Sequence, residues 1–375
     1  MTDVEIGTTH EGCAVVLVDG GRRQSLPALW LRERSAEPDQ LDAITGQRLF
    51  DPHLLPVDLG IESATTDAGS LTVAFTDGHR ATYEIDALAA ACVLDDGVPA
   101  PVPWRAGTDR PRVHAWSSVT TDTAAEVDAL HDFLVDGAVV LDGVPTEPGS
   151  IFGVAEQFGF VRETNFGRLF DVRSIPDSTD LAYRAVPLSA HTDNPYRTPV
   201  PGIQLLHCLV NETSGGLSTL VDGLAAVDQL RTDDPDAVEL LARVAVRFRY
   251  RDADTDIVTV RPVIDTDHDG AVTGLSYSPR LDETPLMPAD DARRYQAARQ
   301  QLSRLLSSGD FETRFKLDAG QLMMFDNNRV LHGRTSFDPN EGMRHLQGCY
   351  IDHDGPRTRY RVLTGRLTLE DSRDR

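Results

Sequence analysis

His191 and Asp193 stand two residues apart in the run SAHTDNPYRTPVPGIQLLHC, and His332 closes DNNRVLH near the other end of the chain. In an extended strand, residues i and i+2 point to the same side, so His191 and Asp193 reach one ion together while Thr192 points away. His332 can complete the set only if the intervening chain returns and lays a second strand at the same place. The triplet therefore asks for a β framework that brings distant segments together. Two imidazoles and one carboxylate on one face of an octahedral ion leave three positions open. An H-x-D pair alone is common at strand ends and turns, so its surroundings decide its weight.

At 375 residues and 40% hydrophobic content, the chain can bury a large core and is long enough for two domains. No run of about 18 apolar residues occurs, as a membrane span would need. The start MTDVEIGTTHEG has neither a basic nor an apolar leader segment, so a cytoplasmic location is expected. Cys13, Cys92, Cys208 and Cys349 are scattered and form neither a disulfide framework nor a CxxC zinc site. A net charge of −23 repels nucleic acid and anionic membranes. The expected partner is a small molecule, and the expected assembly, if any, is a homodimer.

CAVVLVDG, LTVAFTDG and HRATYEID alternate apolar and polar residues and read as short strands of a small β-rich N-terminal domain, residues 1–101. The Pro-rich stretch that follows lacks N–H donors and suits a linker, 102–114. Beyond it, TDTAAEVDALHDFL has helical spacing with a Thr cap, and GAVVLDGVP the apolar run of a buried strand. DGLAAVDQL, DPDAVELLARV and DDARRYQAARQQLSRLL read as helices, whereas GIQLLHCLV and QLMMFDNNRVLH are strand-like. The expected fold is mainly β with flanking helices.

With HTDNPYRTPVPGIQLLHC, GGLSTLVDG, FDNNRVLHGRTSF and MRHLQGCYID in that order, the chain resembles the γ-butyrobetaine dioxygenase branch of Fe(II)/2-oxoglutarate oxygenases, which also includes trimethyllysine dioxygenase. The resemblance covers almost the whole chain. It implies a double-stranded β-helix (jelly roll) over residues 115–375 whose open mouth holds the iron. By position, His191, Asp193 and His332 would be the iron ligands, with 2-oxoglutarate as cosubstrate and O2 as oxidant. Arg344 would pair with the distal carboxylate of 2-oxoglutarate, because a guanidinium fork matches a carboxylate. Ser218 would hydrogen-bond the same carboxylate, and Arg334 would either support that site or form a structural ion pair. His207 and His345 read as core histidines rather than ligands. The family encloses a trimethylammonium group in aromatic rings, and the matching positions are Phe166, Phe170, Tyr183 and Tyr350.

Some positions depart from the family. Asp180 stands where an asparagine contacts the substrate carboxylate, and a second such asparagine aligns near Ser278. An aspartate there repels a carboxylate unless neutralised, whereas Arg280 could take an anionic end, carboxylate or phosphonate. Many members carry a zinc site of cysteines and a histidine in the N-terminal domain. Here Ser35, Glu37 and Gln40 stand near the thiolate positions and only His79 survives, so no structural zinc is expected. The expected activity is hydroxylation of a C–H bond in a small trimethylammonium compound, γ-butyrobetaine or a close analogue. Alternatives are a trimethylammonium-alkylphosphonate hydroxylase, a sulfonate or other small-acid oxygenase, and a silent metal-binding scaffold.

Overall fold

The computed structural model describes residues 2–9, 12–93, 96–109, 111–173, 187–338 and 340–373. The chain divides into two compact units, Met1–Asp96 and Gly97–Arg375. The first holds two three-stranded antiparallel sheets, Asp3–Thr9 with Gly12–Asp19 and Arg22–Ser25, and Ile61–Asp67 with Ser70–Phe75 and Arg80–Glu84. The alternation read from the sequence buries Leu71, Val73 and Phe75 against Ala81 and Tyr83. At the positions where the resemblance would have placed thiolates, Ser35 Oγ lies 2.9 Å from His79 Nε2, Arg32 donates to Gln40 Oε1, and Thr82 N donates to Glu37 Oε1. Buried Arg32 also pairs with Asp77 at 2.9 Å, so neutral and charge-assisted hydrogen bonds join these positions.

The second unit is built on two sheets. The larger runs Phe170–Arg173, Arg344–Ile351, Ile203–Asn211, Gln321–Asp326, Ala138–Asp142, Arg112–Ala115, with Val161–Arg162 also on the Arg344–Ile351 strand. The smaller runs Leu188–His191, Val330–Arg334, Ser218–Asp222, Glu312–Phe315. Side-chain alternation sorts the larger sheet into two faces. Val140, Leu206, Cys208, Met323, Phe325 and Leu346 pack with Leu220 and Val330 of the smaller sheet. Their neighbours Val139, Leu141, Leu205 and Met324 turn outward with Cys349 and pack with residues of the helices Thr123–Asp136 and Ile151–Phe158. The outer face of the smaller sheet, Val221 and Leu331, clusters with the helices Gly223–Asp233, Pro235–Arg243 and Ala289–Ser307.

The structure departs from the sequence reading at three places. Residues 102–114, expected as a linker, belong to the second unit. Trp104 is buried there, its backbone N donates to Asp222 Oδ2 and its indole to the Asp136 carbonyl, while Arg112–Ala115 pairs in parallel with the Ala138–Asp142 strand. The prolines lack donors, but Trp104 and the backbone of Arg112–Ala115 make their bonds to elements far along the chain. The helix Thr123–Asp136 is capped by Asp122, whose carboxylate accepts from Ala124 N, rather than by a threonine. The run QLMMFDNNRVLH is two strands, because Asp326 accepts from Asn328 N and turns the chain between them. Among the described residues no helix is long and apolar enough to cross a membrane.

Candidate active site

The triplet meets at an edge of the smaller sheet. His191, the last residue of its strand, lies directly opposite His332, which in turn lies opposite Leu220 on the next strand. Asp193 follows just past the strand end, where Asn194 takes a positive φ of 55° and turns the chain. One donor atom from each of His191, Asp193 and His332 falls within 4.8 Å of the others, the one such group among the described residues. His191 Nε2 is 3.4 Å from Asp193 Oδ1, and His332 Nε2 is 3.8 Å from Asp193 Oδ2.

Hydrogen bonds fix how these groups point. His191 Nδ1 lies 2.9 Å from the Ser189 carbonyl, to which it can only donate, so Nε2 keeps its lone pair toward the carboxylate. Burial, with His191 alongside, pushes His332 down to about 3, so its ring is neutral at physiological pH. The Tyr350 hydroxyl donates to Asp193 Oδ2 at 2.7 Å. Buried Asn327 grips the Asp193 backbone on both sides, accepting from its N–H and donating to its carbonyl. Two imidazoles and a carboxylate facing one another suit a borderline divalent cation such as Fe(II).

Away from the triplet, the inner face between the sheets carries a cationic layer. Val330, His332 and Arg334 share one face of their strand, as Ser218 and Leu220 do on the neighbour, with Ser218 opposite Arg334. Arg344, Leu346, Gly348 and Tyr350 share the inner face of the strand across the core. Arg334 and Arg344 are both buried and sit over the ring of Phe337, at 5.0 and 5.5 Å. Gly216 leaves its backbone against Arg344, whose Nε lies 3.1 Å from where a Cβ would stand. Arg344 Nε is buried without a hydrogen-bond partner. Burial lowers Arg344, and burial together with Arg344 lowers Arg334 to about 10. Arg344, desolvated with its Nε unpartnered and a second guanidinium nearby, calls for an anion.

On the other side the triplet opens into a cavity of about 510 Å³. Its walls include Phe166, Phe170 and Tyr350, and Arg280, which also weighs on His332 electrostatically. Phe170 packs 5.3 Å from Tyr350, and Gly348, its cross-strand partner, makes room: a Cβ there would lie 2.3 Å from the Phe170 ring. Buried Ser278 lines the cavity with a hydroxyl lacking a partner. Asp180 and Tyr183 lie outside the described residues. Of the other histidines, His207 is fully buried, and His345 pairs with Asp171 at 2.7 Å.

Three groups were not singled out from sequence. Tyr250 and Tyr196 line the cavity, stacked 5.2 Å apart, with Phe166 edge-on to Tyr250 at 5.6 Å. Arg251 adds a second cation to the wall. Asn327 reads from sequence only as a turn residue beside the ligand strand. The alternation in VRFRYR marks a strand, but nothing in it says that Tyr250 faces the triplet.

Residues 104–350 match the family model of the taurine catabolism dioxygenase TauD, TfdA family. γ-Butyrobetaine dioxygenase of Pseudomonas sp. (strain AK-1) is 37% identical over 364 residues, covering 94% of each chain. The Homo sapiens γ-butyrobetaine dioxygenase is 28% identical, covering 91% of this chain and 92% of its own. Mitochondrial trimethyllysine dioxygenase of Bos taurus is 30% identical, covering 89% and 82%. The chain belongs to the TauD/TfdA family of dioxygenases.

Proposed function

We propose that the protein is an Fe(II)- and 2-oxoglutarate-dependent dioxygenase that hydroxylates a C–H bond of a small trimethylammonium compound, γ-butyrobetaine or a close analogue. The observation that carries this reading is the order of groups along one interior: paired arginines, then the two-histidine, one-carboxylate triplet, then an aromatic cavity. We read the two facing sheets as a jelly roll, with residues 115–375 its core and the first unit a separate small domain.

His191, Asp193 and His332 would hold the iron, which when bound supplies C–H hydroxylation coupled to decarboxylation of 2-oxoglutarate. Arg344, with Ser218 near it, takes the distal carboxylate of that diacid. Arg334 lies one strand repeat, about 6.6 Å, from His332, and adds positive charge to the same layer. Phe166, Phe170, Tyr250 and Tyr350 present ring faces to a quaternary ammonium, which attracts them as a cation yet offers no hydrogen bond. Arg280, Arg251 and the free Ser278 hydroxyl meet an anionic far end. Holding both ends places one carbon before the metal, so distance sets the position of attack.

Two guanidiniums on one wall also favour a second reading in which the far end is a phosphonate, whose extra charge gains more from them. The test is 2-oxoglutarate-dependent succinate formation with a panel of trimethylammonium carboxylates, trimethylammonium phosphonates and taurine. The first class is expected to drive turnover. Turnover with taurine alone would refute the quaternary ammonium assignment and leave the iron site standing.

A further inference from the structure

We propose that Asn327, backed by the His353–Asp326 pair, is a positioning residue that holds the Asp193 carboxylate in place and thereby sets the metal affinity of the site. The inference rests on the metal reading of His191, Asp193 and His332.

Asn327 is fully buried and its side chain is fully engaged. Its Oδ1 accepts from Asp193 N at 2.7 Å, and its Nδ2 donates to the carbonyls of Asp193 and Pro201, each at 2.9 Å. Asp193 lies beyond the end of its strand, so no sheet ladder fixes its backbone. The amide of Asn327 does that instead, and the side chain swings from a fixed Cα. Asn327 is held in turn, its own N–H donating to the Gly202 carbonyl at 2.9 Å.

His353 touches both supports of this clamp. Its Nε2 lies 2.9 Å from Asp326 Oδ1, the same oxygen that accepts from Asn328 N and shapes the turn carrying Asn327. Its ring lies against Gly202, where a Cβ would fall 2.5 Å from Nδ1, so only glycine permits the approach. The charged groups facing the pair are Asp352 and Arg357 around His353, and Arg329 near Asp326. Arg329 is committed to Asp222 at 2.9 Å. The Asp326 carboxylate raises His353 above its ordinary value, against burial. A histidine raised on folding contributes its stability fully below its ordinary value and loses it as pH rises through the folded one. The support is therefore strongest while His353 is charged and weakens as pH rises through its raised value.

The test uses the full-length metal-free protein and Co(II), read by its visible absorption bands, with no cosubstrate present. Asn327→Ala is expected to raise the Co(II) dissociation constant about 10–100-fold, the usual cost of losing a group that orients a ligand. His353→Leu should shift it the same way by a smaller factor. His353→Gln keeps an N–H donor for Asp326 but does not titrate. It should lose less affinity than the wild type as pH rises through the raised value of His353, where only the wild type gives up a charge. Wild-type Co(II) affinity in both Asn327→Ala and His353→Leu would overturn the proposal. If Asn327→Ala does not fold, unchanged affinity in His353→Leu, whose side chain is one-third exposed, overturns it alone. Failure of the wild-type protein to bind Co(II) would instead overturn the metal reading itself.

Discussion

Replacing Arg344 with methionine should make the empty protein more stable and a worse binder of 2-oxoglutarate. Arg344 is 7% exposed, and its buried Nε has no acceptor. Its charge also contributes to the fall of Arg334 to about 10, after burial as the larger cause. The sign follows from linkage: a cation whose folded value lies below its ordinary 12.5 destabilises the fold at every pH below that folded value. The drop corresponds to on the order of 3 kcal/mol against Arg334 at neutral pH. Burial accounts for most of this and persists in the variant, so relief from removing Arg344 is about 1 kcal/mol. Methionine keeps an unbranched apolar stem, gives up the guanidinium over Phe337 and brings no charge. The melting temperature of the metal-free variant should rise by about 1–2 °C. Conversely, a carboxylate that loses its buried partner loses about 2–5 kcal/mol, so the KM for 2-oxoglutarate should rise at least about 30-fold. The KM for the quaternary ammonium substrate should stay near the wild-type value. The assays are thermal unfolding with and without 2-oxoglutarate, and succinate formation across a cosubstrate titration. A variant that melts lower yet keeps its cosubstrate KM would refute the reasoning, because Arg344 would then be a structural residue.

Asp193→Ala and His332→Ala should each abolish Co(II) binding and turnover, with circular dichroism unchanged, since the triplet lies at a sheet edge beside a cavity rather than in the packed core; full turnover of Asp193→Ala with Fe(II) would sink the ligand assignment. Tyr350→Phe keeps the ring but removes the 2.7 Å hydrogen bond to Asp193, so it should weaken Co(II) binding while largely sparing quaternary ammonium binding. Equal losses of both in a titration of each ligand would refute that division of roles. Tyr250→Leu should reverse the pattern, losing about 1–2 kcal/mol of quaternary ammonium binding through its ring face, measured by competition, with Co(II) affinity unchanged.

How much of this was legible in the sequence depended on whether a residue's role is set along the chain or across it. The period of a strand places His191 and Asp193 near one point, and the same period puts Arg334 two residues beyond His332 on its face. Even so, Asp193 reaches the point from a turn, with Asn327 in place of a ladder partner. Asn327 could not be assigned because a buried amide holding a backbone and a solvated amide in a turn have the same local sequence. Tyr250 was hidden for a related reason: it comes from the hairpin Val246–Arg251 and Asp256–Arg261, whose placement over the cavity has no fixed spacing from the triplet. The linker reading of 102–114 failed by the same logic, since the Asp222 carboxylate and the Asp136 carbonyl that hold Trp104 come from far along the chain. Asp222 in turn pairs with Arg329, in the segment between Asn327 and the His332 strand. The segment misread as a tether is thus hydrogen-bonded to the far side of the turn that clamps Asp193. Loosening Trp104 should therefore reach the site through Asp222 and Arg329, and its cost should appear in metal affinity before it appears in substrate binding.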